Sequence, residues 1–103
     1  MPLDVRSLAA EADARLREKT SPERQEFTRG YFPSRLENLG VAVTDIRVLL
    51  SDLARRTKKE APEDVVRLGR AILAQKTLEG RNLAYLLLNK RPEVLALLGA
   101  PKA

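Results

Sequence analysis

The chain has 103 residues, which points to one domain, and 44% of them are hydrophobic, which fits a folded protein and excludes a disordered one. With no cysteine and no histidine, it can have no disulfide, thiolate zinc site, thiol nucleophile or imidazole base. The formal charge of +5 is unevenly spread: residues 1–51 balance eight Lys/Arg against eight Asp/Glu, whereas residues 52–103 carry eleven against six. That asymmetry suits a polyanionic partner on the second half. It equally suits solvated helix faces, because four acid-before-base pairs fall at helical spacing: Glu11 with Arg15, Asp13 with Arg17, Asp52 with Arg56 and Glu63 with Arg67.

The apolar pattern predicts about six short helices. Val5, Leu8, Ala9, Ala12 and Leu16 form one stripe over 3–18. Ser21, Pro22 and Glu23 then supply a cap, a first-position proline and a first-turn acid for a second helix over 22–30. Pro33 keeps Phe32 out of helical geometry, and the stretch 34–43 is irregular, with one short turn around 35–39. Thr44 is the predicted cap of a third helix, opened by Asp45. Its stripe of Ile46, Leu49, Leu50, Leu53 and Ala54 closes on Arg55, Arg56, Lys58 and Lys59.

A fourth helix opens at Pro62 and runs to about 75 on Val65, Leu68, Gly69 and Ile72. Thr77 caps a fifth over 78–89. There Leu83, Ala84, Leu86, Leu87 and Leu88 wrap most of the circumference, which predicts the most buried helix. A sixth carries Val94, Leu97 and Leu98 from Pro92, and Gly99 and Pro101 end it. No segment sustains period-two alternation. The expected architecture is all-α, a single domain over 1–103, with antiparallel helix pairs joined by short connections in a HEAT-like stack. Pair starts near residues 3, 45 and 78 give one interval close to the ~40–47 residues of a HEAT repeat and one shorter.

Two segments carry a family resemblance. Phe27-Thr28-Arg29-Gly30-Tyr31-Phe32-Pro33 is followed by Asn38-Leu39-Gly40-Val41-Ala42-Val43-Thr44-Asp45-Ile46-Arg47. Later, Glu63-Asp64 opens one helix and Thr77-Leu78-Glu79 another. This text resembles the N-terminal part of the DNA alkylation repair family, the AlkD-type HEAT-like-repeat DNA glycosylases. The resemblance implies a helical solenoid with a basic concave face for duplex DNA, and release of N3- or N7-alkylated purines. It also implies a catalytic Asp flanked by Trp side chains in later repeats. This chain has no Trp, Asp45 and Asp52 sit too early for that role, and no catalytic residue is carried over. The expectation is a chain that does not excise bases by itself.

The candidate DNA-binding residues are Arg55, Arg56, Lys58, Lys59, Arg81, Lys90 and Arg91. Their chemistry suits phosphate contact, which positions a duplex without reading its sequence. A solvated helix end explains the first four as well. Arg81, Lys90 and Arg91 flank the fifth helix and fit a concave face or simply its exposed ends. Arg47 suits a carboxylate partner or stem packing, and Asp45 a first-turn acid. Tyr31 and Phe32 suit base stacking or a core plug.

Gly69 and Gly80 fall inside helices and suit close packing. No metal, cofactor or phosphate-loop motif is present. No signal peptide or membrane span is apparent, so a cytoplasmic location is expected. The apolar sixth helix needs a cover, and a homodimer through it is the expectation. The alternative function is a helical-repeat protein–protein interaction domain with no DNA role.

Overall fold

The computed structural model describes residues 4–23, 25 and 36–97. Within them the chain is all-α, with helices α1 (Val5–Glu18), α2 (Val43–Thr57), α3 (Pro62–Leu73), α4 (Leu78–Leu88) and α5 (Pro92–Leu97). Extended pairing among the described residues is limited to a single parallel bridge between Glu37 and Thr77. Most of the predicted 22–30 helix lies outside the described residues, as do Phe27, Tyr31, Phe32, Pro33, Leu98, Gly99 and Pro101.

Local chemistry sets most helix starts. The Asp4 carboxylate accepts from the Ser7 amide (3.0 Å) and hydroxyl (2.8 Å), capping α1. These bonds, the backbone one first, hold the Asp4 carboxyl below its ordinary range. Pro62 opens α3 with Glu63 and Asp64 in its first turn. The Thr77 hydroxyl accepts from the Gly80 amide (2.9 Å) and caps α4.

The predicted Thr44 cap is corrected. Helix α2 begins two residues earlier, at Val43, behind an extended Ala42 that offers no side-chain cap. Burial of Val41 and Ile46 decides where the chain turns helical there, and the capping preference of Thr44 yields to it. The predicted turn at 35–39 is corrected over its described part: Leu36 is a bend, and Glu37 pairs with Thr77 instead.

The helices pack through the stripes read from the sequence. Leu16, Leu39, Leu53, Leu68, Ile72, Leu83 and Leu87 are essentially inaccessible. Helices α1 and α2 run antiparallel, since Glu11 meets Arg56 while Arg15 meets Asp52. Helices α3 and α4 form a hairpin in which a side chain on Gly69 would press to 3.0 Å from Leu88. Helices α2 and α4 lie side by side in parallel: Val43 and Ile46 line one cavity with Leu78 and Asn82, and Ala54 and Thr57 line another with Leu87 and Lys90.

As expected, α4 has the largest buried share of the described helices, with Leu83, Ala84, Leu87 and Leu88 joined by Glu79 and Gly80, although Leu86 is not among its buried residues. The same helix leaves Tyr85 53% and Leu86 38% exposed. The central position belongs to α3, which packs against α1, α4 and α5. Helix α4 has neighbours on only part of its circumference, and Tyr85 and Leu86 fall on the side left over.

One carboxylate joins the irregular segment to this frame. Glu79, in the first turn of α4, is 7% exposed and accepts from the backbone amides of Leu39 (3.0 Å), Gly40 (2.9 Å) and Val41 (3.2 Å). Gly40 sits at φ +70, where a side chain would also lie 2.5 Å from the Ser21 carbonyl oxygen. The bridge beside it uses the Lys76 carbonyl, which accepts from the Glu37 amide (2.9 Å), and the Leu78 amide, which donates back to Glu37 (2.9 Å). Lys76 takes a left-handed conformation, φ 58, to close the α3–α4 turn there.

Removing the Glu79 carboxylate strands the buried amides of Leu39 and Val41, while the Gly40 amide keeps its bond to Asn38 Oδ1 (3.0 Å). Glu79→Ala is expected to cost about 3–5 kcal/mol in urea unfolding, as lost charge-assisted bonds and unsatisfied amides do. Exposed Glu63→Ala should stay within about 0.5 kcal/mol of the parent. Equal stabilities of the two variants would show that the carboxylate is not the anchor.

Candidate functional site

Four of the seven candidate cations meet at one end of the α2·α4 pair. Arg55, Lys58, Lys90 and Arg91 line a cavity of about 380 Å³ together with Ala54, Thr57, Val65 and Leu87. Arg55 and Lys58 come from the C-terminal end of α2, where cations offset the carbonyl dipole, and Lys90 and Arg91 from the turn that follows α4. The floor is aliphatic and fixed, because Val65 and Leu87 are buried in the core. Thr57 is buried too, and its hydroxyl donates to the Leu53 carbonyl (2.8 Å). Among the described residues no carboxylate lines this cavity.

The four cations are held differently. Arg91 is anchored: its Nη1 donates to the carbonyls of Thr57 (3.2 Å) and Glu60 (2.8 Å), and its Nε to Glu93 (2.9 Å). It thereby ties the end of α2 to the start of α5. The Glu93 carboxyl is held below its ordinary range by its own backbone amide and then by Arg91. Arg55 reaches Asp52 at 2.6 Å but stays 75% exposed. Lys58 and Lys90 are exposed and make no ion pair among the described residues.

The other three candidates lie elsewhere. Arg56 turns to α1, where it pairs with Glu11, and it also reaches Asp52 on its own helix at 3.3 Å. Lys59 is exposed in the α2–α3 turn. Arg81 lies at the opposite end of the α2·α4 pair, beside a cavity of about 310 Å³ that it lines with Asn38, Val43, Ile46, Leu78, Glu79 and Asn82. Arg47 is exposed and makes no ion pair among the described residues, and Asp45 sits in the first turn of α2 as expected.

Much of the remaining charge clamps helices together. Asp52 receives Arg15 (2.7 Å), Arg55 (2.6 Å) and Arg56 (3.3 Å), and these bonds, Arg15 first, hold its carboxyl down at about 2. Glu11 is lowered by its bond to Arg56, whose own guanidinium is raised in turn. Arg17 bridges Glu37 (3.1 Å) and Asp13 (3.0 Å), and these bonds, Glu37 first, raise it. The expected pairs of Glu11 with Arg15, Asp13 with Arg17 and Asp52 with Arg56 all form. Arg67 departs from expectation: it pairs with Asp64 (3.4 Å) one turn away, not with Glu63.

Sequence reasoning missed the cross-helix contacts of Asp52, Glu11 and Arg56, because their i,i+4 neighbours already explained them. It also missed Thr57 as part of the cavity wall, and no local signal marks that residue. Among the described residues no cluster of acids is placed to hold a metal ion, and no helix is long and apolar enough to cross a membrane.

A comparison with family models matches residues 12–98 to the model described as DNA alkylation repair enzyme. No curated protein and no solved structure matches the chain.

The α1–α2 clamp gives a pH dependence of known sign. A carboxyl lowered on folding contributes stability that is complete above its unfolded value and is lost as pH falls through its folded value. For Asp52 that window runs from 3.8 down to about 2. The urea midpoint should therefore fall as pH is lowered across this range. Asp52→Asn is expected to lower stability at pH 7 by about 1–2 kcal/mol and to flatten the acid limb. An unchanged acid limb in Asp52→Asn would remove Asp52 as its source.

Proposed function

This chain belongs to the DNA alkylation repair family, and we propose that it serves there as a helical-repeat module that holds the DNA backbone without reading sequence. It resembles the N-terminal part of an alkylpurine glycosylase. The observation that carries the reading is the cavity at the C-terminal ends of α2 and α4, which gathers Arg55, Lys58, Lys90 and Arg91 with no acid on its lining among the described residues. Lys58 and Lys90 are exposed, and Arg55 keeps most of its surface in water, so these three are available to phosphates. The parallel lie of α2 and α4 supports a HEAT-like stack, in which equivalent helices of successive repeats line one surface. Arg81, at the other end of the pair, extends the basic surface by about 14 Å along α4 at ~1.5 Å per residue.

Backbone contact predicts a salt-dependent affinity. Lys58→Ala with Lys90→Ala should weaken duplex binding about tenfold at low salt and flatten the slope of log K against log salt by ~2. Fluorescence anisotropy with a labelled duplex measures both. An unchanged slope would overturn the assignment, and salt-insensitive capture of a protein partner would favour an interaction domain instead.

The same reading makes the chain non-catalytic on its own. Excision needs a carboxylate beside the sugar to stabilise a developing oxocarbenium ion. Asp52 is engaged by three arginines, and among the described residues the basic cavity has no acid on its wall. Released 7-methylguanine or 3-methyladenine, followed over time, should match a no-protein control. Release well above the control, abolished by a carboxylate substitution, would make the chain an enzyme.

A further inference from the structure

We propose that the junction of α1 with the end of α3 is a binding site for one internal water molecule, held between the Asp13 carboxylate and the Gln75 side-chain amide. This is independent of the DNA reading above. Among the described residues, two buried side-chain oxygens accept no hydrogen bond from the protein, and they are Asp13 Oδ1 and Gln75 Oε1. A buried acceptor without a donor is costly, so each oxygen calls for a partner.

The two oxygens belong to one junction. Gln75 Nε2 donates to the Ala9 carbonyl (2.8 Å), and Ala9 lies one turn before Asp13 on α1. Residues four apart on a helix share a face, so the Gln75 amide and the Asp13 carboxylate meet the same stretch of that helix. The Ala9 bond also fixes which way the amide points. Turning it over would set Oε1 against the Ala9 carbonyl, acceptor against acceptor.

The nearby cation is already engaged. Arg17, one turn beyond Asp13, gives its Nε to the other Asp13 oxygen, Oδ2 (3.0 Å), and its Nη1 and Nη2 to Glu37 (3.3 and 3.1 Å). The ligand that suits the two remaining oxygens therefore brings two donors and no charge. Water has that form, and an internal water needs about two to four polar partners. A metal or ammonium ion fits less well, because Arg17 already answers the Asp13 charge and the Gln75 amide hydrogens lie beside the site. The Asp13 side chain keeps 27% of its surface in solvent, which gives the water a way in.

A high-resolution crystal structure of the parent chain tests this directly. The expected result is density for a water within about 3 Å of both Asp13 Oδ1 and Gln75 Oε1. In solution, oxygen-17 relaxation dispersion counts waters held longer than the tumbling time of the protein. Gln75→Met keeps the length of the side chain but removes the acceptor, so it should lower that count by one. A melting curve checks its fold, and the parent crystal structure decides the question without the variant. Density in which no water bridges the two oxygens would overturn the site. So would an unchanged count in folded Gln75→Met. An anomalous signal between the two oxygens in crystals soaked with rubidium would overturn the choice of ligand and make the junction a cation site.

Discussion

The contact on which the frame depends is the Glu79 carboxylate against the amides of Leu39, Gly40 and Val41. Three backbone donors in a segment without helical bonds would be costly to bury unpaired. Both carboxylate oxygens take them, so Leu39 and Val41 can enter the core. The segment then delivers the chain to the start of α2 beside the start of α4. The parallel lie of those two helices follows, and with it the cavity between their C-terminal ends. Gly40 at positive φ and the Glu37–Thr77 bridge secure the same junction.

Charge serves two purposes in this molecule, and position separates them. Between α1 and α2, Asp52 and Glu11 are surrounded by Arg15, Arg55 and Arg56, which joins two antiparallel helices by their polar edges. At the ends of α2 and α4, Arg91 is spent on the carbonyls of Thr57, the last residue of α2, and of Glu60 in the turn that follows. Lys58 and Lys90 are left over from both arrangements. The net charge therefore says less about a polyanionic partner than the few cations the fold leaves unengaged near one cavity.

Helix content was legible in the sequence because helices are local. Spacings of three and four residues, Pro62 at a helix start and Thr77 as a cap act over one turn, and the observed α1, α3 and α4 match them closely. The family was legible as well, through the Gly-Val loop and the two helix openings, and the family match spans that text. Where local preference met packing it lost: Thr44 gave up its cap to the burial of Val41 and Ile46, and Leu86 kept its exposure despite a leucine-rich neighbourhood.

By itself, the sequence determined the all-α class, most helix positions and a basic second half, since each follows from residues within a turn of one another or from simple counting. Only the tertiary structure decided which charges are free. Arg56 and Arg91 look no different in sequence from Lys58 and Lys90, yet the first two meet partners 45 and 34 residues away. Glu79 likewise finds its amides 38 to 40 residues upstream. No local pattern encodes contacts at such separations. They arise when apolar stripes on different helices are buried against one another, and the charged side chains are then carried to partners or left in water.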